Sequence, residues 1–189
     1  MADQSMIFPE QEYRRRIAQL HAGMAAQAFD ALLLSMASDI FYVTGFLTQF
    51  WESPARPWFV VVPQAGDPVA VIPSIGADLM GRTWVRDIRT WDAPDPRDDG
   101  TTLLVEALTA SVPAHGRIGL PKGLETCLRM PLNDFDTLRA RLAPRRFIDA
   151  TDCLHRVREI KSEAEIAKIR DTCAIAGRAF DRVPEFARA

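Results

Sequence analysis

Apolar and polar positions run through this chain in two different periods. From Glu10 onward Tyr13, Ile17, Leu20 and Met24 recur at three- and four-residue steps, which predicts one buried stripe on a helix reaching Ala28. Arg14, Arg15 and Arg16 fall mainly off that stripe and are expected on its solvated face. Ala31–Leu34 is a short apolar run of the kind a buried strand shows, Ser35–Asp39 turns the chain, and a second apolar segment closes at Gly45. We read the stretch 29–46 as a sheet edge followed by a turn. Trp58–Val62 and Pro68–Ile72 are dense apolar runs closed by Pro63 and Pro73, and the Gln64-Ala65-Gly66-Asp67 turn between them predicts a hairpin.

Beyond the hairpin, Ser74 is placed to cap a short helix through Met80, and Val85–Trp91 alternates as a half-buried strand does. A helix over Thr101–Ala110 carries Leu103, Leu104, Ala107 and Leu108 on one side, and Arg117–Leu120 reads as a strand. Leu132, Phe135, Leu138 and Leu142 mark a helix opened by Pro131 and stopped before Pro144, and Arg145–Asp149 is a last short strand. Strands alternating with helices around one hairpin predict an α/β fold, a mixed β-sheet flanked by helices. Asp149, Thr151 and Asp152 are placed to cap a helix through Arg158. Ser162-Glu163-Ala164-Glu165 then forms a capping box for a long helix striped by Ile166, Ile169, Cys173, Ala176 and Phe180, which Pro184 should end or kink. Such a stripe needs a surface to pack on. We therefore expect one domain over residues 1–158, and over 159–189 a linker and the first helix of a second domain.

Composition narrows the function classes. With 48% hydrophobic residues, a net charge of -2 and a pI near 5.9, the chain fits a globular domain and lacks the basic face of a nucleic-acid or anionic-membrane binder. Its 3 cysteines form no C-x-x-C pair, which fits a reducing compartment without a disulfide framework or zinc cluster. The N-terminus resembles no secretory signal and no run has the length of a membrane span, so a cytoplasmic location is expected. Asp92, Asp95, Asp98 and Asp99 lack the ligand alternation of a calcium loop and read as acidic residues supplied to the next helix start. Gly119–Gly123 lacks the spacing of a phosphate loop and reads as a turn. His21 lacks visible partner ligands, and a cap with a helix face accounts for Asp152-Cys153-Leu154-His155.

The segment Leu47–Trp58 is the strongest candidate for function. It carries Phe50, Trp51, Arg56 and Trp58, with Pro54 and Pro57 on either side of Arg56. Aromatic rings and a guanidinium gathered in a loop usually mark a contact surface. Packing offers the other explanation: tryptophans in the core or against another domain, and Arg56 paired with a nearby carboxylate.

Two segments carry a resemblance. FDALLL with SDIFYVTGF in 29–46, and HRVREIKSEAEIAKIR in 155–170, are similar to the two landmarks of the N-terminal domain in the creatinase and Xaa-Pro peptidase (prolidase, aminopeptidase P) family of pita-bread hydrolases. The resemblance covers nearly the whole chain, and about 110 residues between the landmarks suit a single domain of ~150 residues. It implies a ribonuclease H-like fold, with Arg158, Ile160 and Lys161 in the connection to a catalytic domain. In the peptidases that domain holds two divalent metal ions (Mn, Co or Zn), whereas creatinase works on a C–N bond without metal. No metal and no catalytic residue is expected in this chain itself. The resemblance further implies a homodimer in which the loop of one subunit reaches the partner's active site. Arg56 would pair with the carboxylate of a small peptide or zwitterionic substrate, and Phe50, Trp51 or Trp58 would exclude water. It also admits a non-catalytic interaction module, as the similar domain of a histone chaperone subunit is.

Overall fold

The computed structural model of the chain describes residues 7–53 and 56–187. The chain divides into two compact units, Met1–Val157 and Arg158–Ala189. The first opens with helix α1 (Glu10–Gln27), in which Tyr13, Ile17, Leu20 and Met24 are all buried as the stripe requires. Strand β1 (Ala31–Leu34) and helix α2 (Ala37–Thr44) follow, and Gly45 ends α2 with φ +78°. A side chain at Gly45 would place its Cβ 2.6 Å from the Tyr13 Oη, so both the left-handed backbone and the close approach of α1 require glycine there.

The remaining elements of this unit are β2 (Phe59–Pro63), β3 (Val69–Pro73), α3 (Ala77–Gly81), β4 (Asp87–Trp91), α4 (Thr101–Ser111), β5 (Arg117–Leu120), α5 (Leu132–Leu142), β6 (Arg146–Asp149) and α6 (Thr151–Glu159). With β1 they build a 6-stranded mixed sheet in the order β4-β3-β2-β1-β5-β6, with helices against it, so the α/β expectation holds. The β2–β3 hairpin is antiparallel as its turn predicts, and β1 pairs antiparallel with β2 but parallel with β5. That pairing corrects the sheet-edge expectation for 29–46. β1 is an interior strand, and all four of its residues are buried, as a strand covered on both faces must be.

Successive strand residues face opposite sides. Ala31, Leu33, Phe59, Val61, Val69 and Val71 join Leu104, Ala107 and Leu108 of α4 and Leu138 and Leu142 of α5 in one core. The intervening Leu32, Leu34, Val60, Val62, Ala70 and Ile72 are equally buried, on the opposite face. The buried leucines and valines, each contributing roughly 1.5–3 kcal/mol, outweigh any single polar contact at this centre.

Arg16 departs from the sequence expectation. It is 2% exposed rather than solvated. Its Nη1 donates to the Tyr42 carbonyl at 2.8 Å and its Nε to Glu12 at 3.1 Å, while the guanidinium lies 4.5 Å from the Phe8 ring centroid and 4.3 Å from that of Tyr42. A planar cation can be buried this way because its charge is met by a carboxylate, a carbonyl and ring faces together. Ser74 departs too: its hydroxyl donates to Asp92 at 2.8 Å instead of capping the helix.

In the second unit, helix α7 (Glu163–Asp181) begins with the expected capping box, in which Ser162 Oγ accepts from the Glu165 N–H at 3.1 Å and Glu165 Oε2 from the Ser162 N–H at 2.8 Å. Pro184 lies in the first turn of a separate short helix, α8 (Val183–Phe186), so α7 stops where the proline predicts. Ile169, Ile175 and Phe180 of α7 are exposed. No helix among the described residues is long and apolar enough to cross a membrane.

Candidate functional site

The loop after α2 is shaped from its first residue. Thr44 Oγ1 donates to the Ile40 carbonyl at 2.6 Å and accepts from the Phe46 N–H at 2.9 Å, turning Phe46 inward. Thr48 then caps a single 3-10 turn, Gln49–Glu52, by accepting from the Phe50 N–H at 3.3 Å. Such turns have poor hydrogen-bond geometry and are used in short pieces. Here the support is aromatic. Phe46 and Trp58 have centroids 5.4 Å apart, Trp51 and Trp58 5.6 Å, and Phe46 and Trp51 6.1 Å.

The four residues singled out in this loop are therefore not equivalent. Trp58 is 0% exposed, with its ring against Gly76. It is a core residue of this unit, and the run it opens leads directly into the buried β2 strand. Trp51 is half-buried, with its indole N–H enclosed and without an acceptor among the described residues. Phe50 and Arg56 are half-buried as well, and Arg56 has no ion-pair partner among the described residues. Pro54 and Ala55, part of the same loop, lie outside the described residues.

One residue that contacts this loop carries no signal in the sequence. Arg129, in the irregular segment between β5 and α5, donates through Nη2 to the Trp51 carbonyl at 3.0 Å and the Ser53 carbonyl at 2.7 Å, with its guanidinium 5.2 Å from the Trp51 centroid. Trp51, Glu52, Pro57, Leu128, Arg129 and Met130 line a groove of about 460 Å³. The groove is mostly apolar, with the Arg129 guanidinium and the Glu52 carboxylate among its lining.

The other polar clusters are structural. Asp98 caps α4 by accepting from the Thr102 N–H at 2.9 Å, and Asp99 accepts from the Trp91 indole at 2.8 Å. Asp149 accepts from the Thr151 hydroxyl at 2.6 Å and its N–H at 3.0 Å, and these bonds hold its carboxyl below the usual carboxylate range, with a smaller contribution from Lys122. Burial pushes the Cys153 thiol up. Among the described residues no group of three or more His, Cys, Asp or Glu side chains is placed to hold a metal ion.

Comparison with known proteins gives a consistent picture. The family model for the Creatinase/Prolidase N-terminal domain matches residues 16–160. The uncharacterized hydrolase/peptidase y4tL of Sinorhizobium fredii is 25% identical, over 96% of this chain and 47% of that protein. The probable dipeptidase PepE of Mycobacterium tuberculosis is 28% identical, over 95% of this chain and 44% of its own. Among solved structures, dipeptidase PepE from Mycobacterium ulcerans superposes with a TM-score of 0.71 at 23% identity, covering 95% of this chain and 45% of that one. Prolidase from Thermococcus sibiricus gives 0.77 at 18% identity, covering 95% and 46%. At those identities the two structures establish the fold. The chain spans somewhat less than half the length of the curated relatives it matches.

Proposed function

Because the chain belongs to the creatinase/prolidase N-terminal domain family, whose model matches residues 16–160, we propose that it is the substrate-gating and dimerisation domain of a longer Xaa-Pro-type hydrolase. The family comprises the N-terminal domains of prolidases and Xaa-Pro peptidases, and relatives named as dipeptidases extend well beyond the matched region. The chemistry of bond cleavage belongs to the remainder of such a protein. This chain's part is binding: in a cytoplasmic homodimer, the loop Leu47–Trp58 of one subunit closes over the partner's active site and Arg56 pairs with the carboxylate of a small peptide. Two divalent metal ions would activate water in the catalytic domain of a peptidase. The described residues of this chain do not provide that site, and no metal step is assigned to them.

The observation that carries the gating role is the state of Arg56. It is half-buried on a braced loop, and no carboxylate among the described residues meets its charge. A guanidinium held in that way supports a role in capturing an acid from outside the fold. Arg56→Ala in the longer hydrolase should lower kcat/KM for an Xaa-Pro dipeptide by about 10- to 100-fold, the equivalent of one charge-assisted hydrogen bond or pair. The same substitution in the present chain should leave its unfolding midpoint in place. Unchanged kcat/KM in the intact dimer would rule out the gating role.

A further inference from the structure

We propose that Arg129 is the positioning residue of the Leu47–Trp58 loop and thereby sets where Arg56 is presented. This inference rests on the gating role for its kinetic consequence, but its structural content stands without it. The backbone of Arg129 is fixed from two directions. Its N–H donates to Ser35 Oγ at 3.0 Å, just beyond the end of β1, and the Ser35 hydroxyl points back to the Cys127 carbonyl at 3.5 Å. On either side of it Leu128 and Met130 pack against the core shared by α4, α5 and the sheet. Arg129 is thus anchored to the most buried strand of the fold while its side chain reaches the loop.

What that side chain does there is specific. Both carbonyls it bonds, those of Trp51 and Ser53, belong to the last turn of the 3-10 segment and its C-cap, where carbonyl groups otherwise go unsatisfied. Of the turn's own backbone bonds, that from Trp51 N–H to the Thr48 carbonyl is long, at 3.4 Å, and that from Ser53 N–H to the Phe50 carbonyl is 3.1 Å. The guanidinium also covers the Trp51 ring, which in turn leans on Phe46 and Trp58. No ion-pair partner among the described residues competes for it. Its charge is answered by two carbonyl dipoles and one π face, all three from the loop. Lysine cannot reproduce this, because a single ammonium does not stack in a plane while bridging two carbonyls.

The test begins with amide hydrogen exchange of this chain carrying Arg129→Met. Exchange at Phe50, Trp51 and Ser53 should accelerate on the order of tenfold or more, while the amides of β1 and β2 keep their protection. Arg129→Lys should fall between the two and guards against a general loss of folding. Unaltered exchange at those three amides in both variants overturns the proposal. In the longer hydrolase, Arg129→Met should raise KM for the dipeptide more than it lowers kcat, and its effect should be non-additive with Arg56→Ala, because both act through one loop geometry. Additive effects of the two substitutions would overturn the link to Arg56. Faster loop exchange with no kinetic effect of either substitution would leave the brace intact and sink the gating role instead.

Discussion

The burial of Trp58 against Gly76 makes a prediction that does not depend on function. A Cβ at Gly76 would lie 2.3 Å from Cζ3 and 2.8 Å from Cη2 of the indole, whereas ordinary contact begins near 3.4 Å. The indole cannot retreat, since Phe46 and Trp51 occupy its other sides at 5.4 and 5.6 Å between centroids. The backbone at Gly76, with φ -94° and ψ -6°, suits alanine. Any cost of Gly76→Ala is therefore steric. Overpacking of this size costs about 1–3 kcal/mol, against which the restricted unfolded chain returns about 0.4–1 kcal/mol, leaving a net loss of about 1–2 kcal/mol. Trp58→Phe withdraws the two offending atoms and leaves a cavity, at a cost of about 1–3 kcal/mol. Combined, the methyl group fills part of the space the indole vacates, so the double variant should be more stable than the sum of the single effects by about 1–2 kcal/mol. Urea unfolding of the four proteins at constant m-value measures this directly. Additivity to within about 0.5 kcal/mol would show that the two residues do not compete for one volume.

Two further predictions concern the polar interior. Arg16→Met should destabilise the chain by about 3 kcal/mol, because the 8%-exposed Glu12 loses its buried partner, while the half-exposed Arg15 stays at 2.8 Å; a denaturation midpoint equal to that of the parent would contradict the buried pair. Asp149, with its folded-state pKa lowered by the Thr151 hydroxyl first and the Thr151 N–H second, contributes stability that is present above the unfolded carboxyl pKa and lost as pH falls through the folded one. Thr151→Val should return the Asp149 titration, followed by NMR, toward the ordinary carboxylate range and move acid unfolding to higher pH. A titration unchanged by Thr151→Val would mean that other donors set it.

Much of this architecture follows from residue order. The α1 stripe, the hairpin turn, the alternation preceding Trp91 and the Ser162 capping box are local signals, and each appears in the structure where the chain places it. Strand neighbours are a different matter, because β1 meets β5 across a long separation that no local period records. Even so, the unbroken Ala31–Leu34 run was itself a sign of an interior strand, since an edge strand rarely buries every residue. Charge misled at Arg16, whose position between Tyr13 and Ile17 lies at the border of the stripe. The nearby Phe8, Tyr13 and Tyr42 were the available hint that a guanidinium could be stacked there. In the candidate site, the sequence marked the loop but could not separate Trp58 from Trp51, since both are tryptophans in one short segment and only the sheet decides which is enclosed. Arg129 left no pattern at all. It sits in a stretch without period, and its partners are backbone carbonyls, which any residue supplies.

The strand order also bears on how the chain matures during synthesis. The half-sheet β4-β3-β2-β1 is complete once Trp91 has emerged, and its central hairpin needs only the short connection between Pro63 and Val69 to close, a step of about 1–10 μs. The opposite side of β1 must wait for β5, which begins at Arg117. Until then the chain leaving the ribosome carries a wholly apolar strand with one unpaired row of amides and carbonyls, the arrangement most prone to pair with a neighbouring nascent chain. Pausing before β5 should therefore yield aggregates, whereas pausing after β6 should not.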